Sequence, residues 1–352
     1  EIRRKASSAK AFGTRAHLVT PAEIKQKFPL IEEEIVQGGL FDPDAGLVVP
    51  RSQTVAGKLV DEGEKTGRLR AFANTPAQSL IVEDGRIAGV VTHRGTIRAD
   101  HVIVCAGLWG RLIAEMVGED LPVMPVDHPL TFFGPYTEFE GTGKEIGFPL
   151  LRDQGNSAYM RDTGDPKTTE GGQIEWGYYE QHNPRMCHPR DLLEKHEARL
   201  SPSQRDLDME QILEPLERAM ELTPILGELG YNESHSFNGL LQVSAAGGPS
   251  CGESQKVRGL WYCVAIWVKD GPGYGKLIAD WMTDGRTEID HSSIDYARFY
   301  PHQLEEKFIE GRCYEAAQKI YFPAVHTREP YASGRGVKRS PMYEREVELG
   351  GY

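Results

Sequence analysis

The chain of 352 residues is long enough for two lobes, and its 26% charged and 39% hydrophobic residues are the proportions of a soluble globular protein. With 40 basic against 52 acidic residues it is acidic, so no basic stripe stands ready to release counterions from a nucleic acid or an anionic membrane, and a small-molecule substrate is expected instead. Cys105, Cys187, Cys251, Cys263 and Cys313 form no C-x-x-C pair, which argues against a zinc site or a disulfide scaffold and for a reducing compartment. No run of eighteen apolar residues and no basic-then-apolar leader is present, so a cytoplasmic setting is expected, or the mitochondrial matrix in a eukaryote.

In chain order, Thr20, Pro21 and Glu23 predict a capped helix to about Phe28, because a hydroxyl precedes proline at the first helical position and a carboxylate follows three residues on. Turns at Gly38–Gly39 and Pro43–Gly46 lead to a helical stripe through Val55, Leu59 and Val60, which is expected to cover a sheet. Short extended runs follow, with turns at Asp84–Gly85 and Arg94–Gly95. They predict a three-stranded meander feeding the buried strand 102–105. A helix from Leu108 to Met116 begins directly after Ala106 and Gly107, so its first N–H groups are free for a ligand. Alternating stretches between Pro122 and Tyr179 predict an antiparallel sheet, the second lobe. Two short helices are expected next, one near Met209 and Ile212, the other opened by Pro215. The apolar run 260–268 reads as a buried strand, followed by a glycine turn and a helix from Lys276 to Met282. Beyond Asp290 the tail shows no strong period.

The glycine turn Gly271, Gly273 and Gly275 resembles a dinucleotide fingerprint but fails it, because the sixth position is Lys276 where a G-x-G-x-x-G motif needs glycine. Two readings remain: a tight strand-to-helix turn and nothing more, or a helix N-terminus that, with Lys276, offers positive potential to an anionic edge of a cofactor.

A collinear set of short motifs is more specific. LVTPAE at 18–23, FPL at 28–30, GGL at 38–40, VIVCAGLW at 102–109, FNG at 237–239, GGP at 247–249 and GES at 252–254 are followed by Trp267–Val268, Gly273 to Lys276, DGR at 284–286, Asp295, Arg298–Phe299 and RSP at 339–341. In this order the chain resembles the dimethylglycine oxidase and sarcosine dehydrogenase family from about Leu18 to its end. The resemblance implies an α/β (α+β) fold: an incomplete glutathione-reductase-like FAD-binding domain with an antiparallel-sheet substrate domain. The expected division is an FAD-binding portion with the meander at 1–120, the substrate-binding sheet with helices at 121–236, a return to the FAD-binding domain at 237–290, and a linker toward a folate-binding domain at 291–352.

The implied reaction is oxidative demethylation of dimethylglycine or sarcosine, with hydride passing from the N-methyl carbon to flavin N5. Tetrahydrofolate would serve in a C-terminal domain beyond this chain. The resemblance places His128 and Tyr159 at two active-site positions. Arg161, two residues past Tyr159 in a strand, would share its face and could pair with a substrate carboxylate through its planar fork. Ala106, Gly107, Trp109, Val268, Gly271, Gly273 and Lys276 would touch FAD. Two departures stand out: Ser244–Ala246 replaces the usual Thr-Pro-Asp, and the G-x-G-x-x-G unit that opens family members does not occur in the sequence from Glu1 onward. The expected consequences are a homo-oligomer or a partner chain supplying the FAD-binding segment. The rival readings are a non-catalytic subunit like the pyruvate dehydrogenase phosphatase regulator and an incomplete remnant.

Overall fold

The structure, a computed structural model, describes residues 2–48, 52–141, 143, 146–167, 171–194, 203–320 and 331–351. Its largest element is a six-stranded antiparallel sheet in the spatial order Gln204–Arg205, Phe237–Ser244, Val123–Phe133, Ile174–Tyr178, Ala158–Asp162 and Leu151–Asp153. Successive side chains in a strand point to opposite faces, so each strand feeds two different environments. One face sends Phe133, Ala158, Met160, Ile174 and Trp176 into a core closed by Ile212, Leu216, Ala219 and Leu222 of the helix Met209–Leu222. The other face carries His128, Tyr159 and Tyr179.

The helix Met209–Leu222 replaces the two helices expected from Pro215, which lies within it. A proline removes one N–H from the ladder and usually ends a helix. Here the apolar stripe runs unbroken across Pro215, and burial of that stripe outweighs the missing hydrogen bond.

A second, three-stranded sheet joins Ser250–Glu253, Leu260–Val264 and Val102–Val104, the last two parallel. Beside it the meander forms as expected from Ala77–Glu83, Arg86–Thr92 and Gly95–Arg98. Asp84 and Gly85 both take left-handed φ, 50° and 72°, the pair a two-residue hairpin turn requires. At Gly89, with φ of 151°, a Cβ would stand 2.2 Å from the Ile97 carbonyl oxygen, so the meander closes only over a glycine.

Several expectations change. Phe237–Ser244 pairs along its whole length with Val123–Phe133, and the next strand, Ser250–Glu253, pairs in the smaller sheet. The helix expected from Lys276 starts five residues earlier, at Gly271. Pro272 lacks an N–H that the first turn could not have satisfied, so the glycines become helix rather than loop. The helix Ser52–Lys65 forms, but none of its residues is buried among the described residues, so the expected covering contact is absent there. In the tail, helix Glu306–Gln318 lays Ile309 and Cys313 on Met124 and Ala245, and Ala316 and Ala317 on Val126 and Val243. It thereby covers part of the sheet face that carries His128. The fully buried Arg111 joins this helix to the core, pairing with Asp120 at 2.6 Å and with Glu306. No helix among the described residues is long and apolar enough to cross a membrane.

Candidate active site

His128 and Tyr159 meet. His128 Nε2 lies 2.9 Å from the Tyr159 hydroxyl, although the residues sit on strands that are not neighbours. Ile174–Tyr178 runs between them, and at the crossing point stands Gly177, paired with Leu130 on one side and with Tyr159 on the other. A Cβ on Gly177 would lie 2.2 Å from the Tyr159 ring and 2.3 Å from its hydroxyl oxygen. The phenol therefore lies in a slot that only glycine leaves open. A glycine inside a strand marks close approach of another group, and that was the available signal for this residue.

Tyr179 completes the cluster, its ring centroid 4.4 Å from that of His128 and 5.7 Å from that of Tyr159. Trp267 lies parallel to Tyr179 at 6.2 Å. Arg152 is paired across the sheet with Tyr159 and holds its guanidinium carbon 5.3 Å from the Tyr179 ring centre. Nothing local in the sequence sets Tyr179 or Arg152 apart, since both follow ordinary strand alternation.

Burial lowers the pKa of His128 to about 4; the Tyr178 backbone opposes the shift and the Arg152 charge adds to it. Burial also raises the Tyr159 hydroxyl well above the usual phenol range, with smaller contributions from Tyr179 and Glu175. Both groups are neutral at physiological pH, and His128 Nδ1 is buried without a hydrogen-bond partner. A histidine with a depressed folded pKa stays neutral where the unfolded chain takes up a proton. Its contribution to stability is therefore constant above about pH 6.5 and turns unfavourable as pH falls from there toward about 4. The His128 ring resonances, followed by NMR, are expected to stay fixed from pH 8 to pH 5. A midpoint near 6.5 would refute the burial argument.

Beyond Trp267 opens a cavity of about 340 Å³ lined by Gln242, Ser244, Gly248, Ala265, Trp267 and Lys269. That is the size of a small-ligand site. The Gln242 side chain braces its wall, donating to the Gly107 carbonyl at 2.7 Å and accepting from the Ala265 N–H at 2.6 Å. Asp270, at the N-terminus of helix Gly271–Asp284, also lines the cavity; its carboxylate makes no side-chain cap and pairs with the Lys269 ammonium at 2.7 Å.

The other sequence candidates fall unevenly around this cavity. Gly107 and Trp109 form a 3-10 turn with Ala106 at its start, and that turn is tied to the wall through Gln242. Gly271 opens the helix. Gly273 and Lys276 do not line the cavity; the Lys276 ammonium pairs with Asp280 on the exposed side, and the cations that line the cavity are Lys269, paired with Asp270, and Lys319, paired with Glu315. Val268 is 71% exposed. Arg161 lies on the His128 face, where its guanidinium pairs with Glu175 on the adjacent strand. In the Ser244–Ala246 segment, the Ser244 hydroxyl accepts from the Gly248 N–H at 3.2 Å and closes the turn. Ala245 is buried against Met124, Ile309 and Cys313, and Ala246 packs on the second core.

Comparison with known proteins agrees with the resemblance. Residues 1–281 match the FAD dependent oxidoreductase family and residues 284–340 the FAD dependent oxidoreductase central domain. Human mitochondrial sarcosine dehydrogenase is 26% identical over 99% of this chain and 36% of its own length. Human mitochondrial dimethylglycine dehydrogenase is 27% identical over 94% and 37%, and 4-methylaminobutanoate oxidase (formaldehyde-forming) of Paenarthrobacter nicotinovorans is 26% identical over 96% and 38%. The chain thus spans somewhat more than a third of these relatives. Among solved structures, L-proline dehydrogenase from P. horikoshii superposes with a TM-score of 0.68 at 19% identity, covering 86% of this chain and 74% of that one. Glycine oxidase from Geobacillus kaustophilus gives 0.62 at 17% identity, covering 85% and 71%. These matches show the fold, and with the family match over most of its length the chain belongs to the FAD dependent oxidoreductases.

Proposed function

We propose that this chain carries the reaction centre of an enzyme that removes an N-methyl group from a small amino acid by oxidation, with dimethylglycine or sarcosine as substrate. The observation that carries the reading is the neutral, half-buried His128–Tyr159 pair on the sheet face beside Tyr179, Trp267 and the cavity. FAD, bound at the cavity, would supply the hydride acceptor. The first turn of helix Gly271–Asp284, Lys269 with its partner Asp270, and the turn braced by Gln242 would hold its ring. The chain's own groups would select the protonation state of the substrate. Only an unprotonated amine has the lone pair that assists loss of hydride from an adjacent carbon. His128 and Tyr159, both uncharged, offer no anion to hold an ammonium ion, and the Arg152 charge opposes one. The aromatic rings of Tyr179 and Trp267 would keep water from the reacting carbon.

The segments 237–239 and 247–249 favour dimethylglycine over sarcosine as the preferred substrate. The three relatives named above, all of similar identity, have printed names that differ in substrate. Anaerobic rapid mixing of the FAD-loaded protein with dimethylglycine, sarcosine and 4-methylaminobutanoate is expected to bleach the flavin band, most rapidly with dimethylglycine. Formaldehyde should form in proportion on admission of an electron acceptor. A flavin band unmoved by all three amines would overturn the reading.

A further inference from the structure

We propose that Tyr331, fastened across the cavity by helix Glu306–Gln318, is a specificity-determining residue that restricts the amine substrate to small N-substituents. The inference rests on the functional reading above and deepens it.

The cavity has two kinds of wall. Gln242, Ala265 and Trp267 belong to strands or follow closely on one, so sheet pairing fixes their backbone. Tyr331 lines the same cavity but lies in neither strand nor helix, and its place is set by side-chain contacts. Its ring centre lies 4.4 Å from the Arg312 guanidinium carbon and 4.7 Å from the Lys319 ammonium. These two cations stand seven residues apart, two helical turns, and each is drawn to the electron-rich face of the ring. At its other end the phenol reaches the turn between Phe237–Ser244 and Ser250–Glu253. A Cβ on Gly247 there would lie 3.2 Å from the hydroxyl oxygen. The ring therefore spans from the helix to that turn, both of which line the cavity.

The backbone that follows is clamped to the same helix. The Glu315 carboxylate accepts from the Ala332 N–H at 2.9 Å, the Ser333 N–H at 2.8 Å and the Ser333 hydroxyl at 2.7 Å, and it pairs with Lys319 at 2.7 Å. Burial opposes its ionised form, but the bonds from Lys319, Ser333 and Ala332 outweigh burial and hold the carboxyl down at about 2, so the clamp stays charged at physiological pH. Lys319 serves both parts, neutralising Glu315 and holding the ring. A cavity of about 340 Å³ that also takes a flavin ring leaves room for a short amine, and a larger N-substituent would meet the fastened phenol.

The test compares ligands that differ in bulk. In the FAD-loaded protein, calorimetry should find methoxyacetate, an unreactive carboxylate the size of N-methylglycine, bound at least about tenfold more tightly than benzyloxyacetate. Tyr331→Ala should narrow that gap by about tenfold, the lower end of what a hydrophobic pocket achieves by size. Tyr331→Leu should narrow it by less, and Tyr331→Phe, which keeps the ring, should leave it at the parent value. Glu315→Ala, which releases the chain after Tyr331, should narrow it partway, with Glu315→Gln between that variant and the parent. In turnover, N-benzylglycine should gain on N-methylglycine through its half-saturating concentration. A parent that binds the two ethers alike, or a gap that neither Tyr331→Ala nor Tyr331→Leu changes, overturns the inference. Failure of the functional reading looks different: the gap would respond to Tyr331 as expected, yet no N-methylated amino acid would bleach the flavin.

Discussion

Replacing Gly177 with alanine is expected to slow flavin reduction by on the order of a hundredfold or more, the usual effect of misplacing an acid–base partner, without touching either residue of the proposed His128–Tyr159 pair. The added methyl would occupy the space that the Tyr159 ring now fills, at 2.2 Å, and backbone on a central strand has no room to retreat. The ring must swing out, and the 2.9 Å contact with His128 is lost. Tyr159→Phe should match this loss of rate, since it removes the hydroxyl and keeps the ring. The two variants part in their effect on histidine. Displacing the ring admits water to His128 and lets its pKa rise from about 4 toward the ordinary value, because burial is the leading cause of the depression. Tyr159→Phe keeps the ring in place and should move it far less. A double-mutant cycle closes the case. Gly177→Ala should cost about 1–3 kcal/mol of stability by overpacking in the parent, and much less in a Tyr159→Ala background, where the slot is empty. Equal costs in the two backgrounds would show that the slot does not position the tyrosine.

Trp176→Ala is expected to have the largest effect on stability, about 3–5 kcal/mol, enough to exhaust much of the margin of an ordinary domain. Trp176 is fully buried on the opposite face of the same strand, stacked on Tyr178 and packed in the core under helix Met209–Leu222. Its backbone carbonyl also accepts from the Thr131 hydroxyl at 3.1 Å, so the residue ties two central strands together. Urea unfolding followed by circular dichroism measures the loss. A change below about 1 kcal/mol would mean that the core repacks around the void, contrary to the close packing expected of such a site. Trp176→Phe should recover most of the stability.

What could be read in advance divides by range. The Thr20–Glu23 capping box and the Asp84–Gly85 hairpin were legible because each signal lies within a few residues of its effect, and both formed as expected. Helix Glu306–Gln318 was missed because its buried stripe is Ile309, Cys313, Ala316 and Ala317, small side chains with a weak apolar signature that bury well only against the long strands beneath. The extent of helix Gly271–Asp284 was misread for the opposite reason: three glycines suggest a turn locally, and packing of Leu277 and Ile278 carries the helix through them. At the site, the meeting of His128 and Tyr159 followed from the resemblance and the expected antiparallel lobe, while the register of three strands distant in sequence sets its 2.9 Å geometry. Gly177, which permits that contact, carries only the signal of a glycine inside a strand, and which group approaches it is set by the fold.

The slot at Gly177 ties two positions together in descent. So long as the tyrosine remains, any side chain at 177 collides with it, and purifying selection must hold both. Once a lineage abandons the tyrosine for a small residue, the constraint on 177 vanishes and the position is free to drift. A glycine there, read beside its tyrosine, therefore works as a genomic marker. It should separate relatives that still use this face for chemistry from those that keep the same sheet for binding or regulation alone.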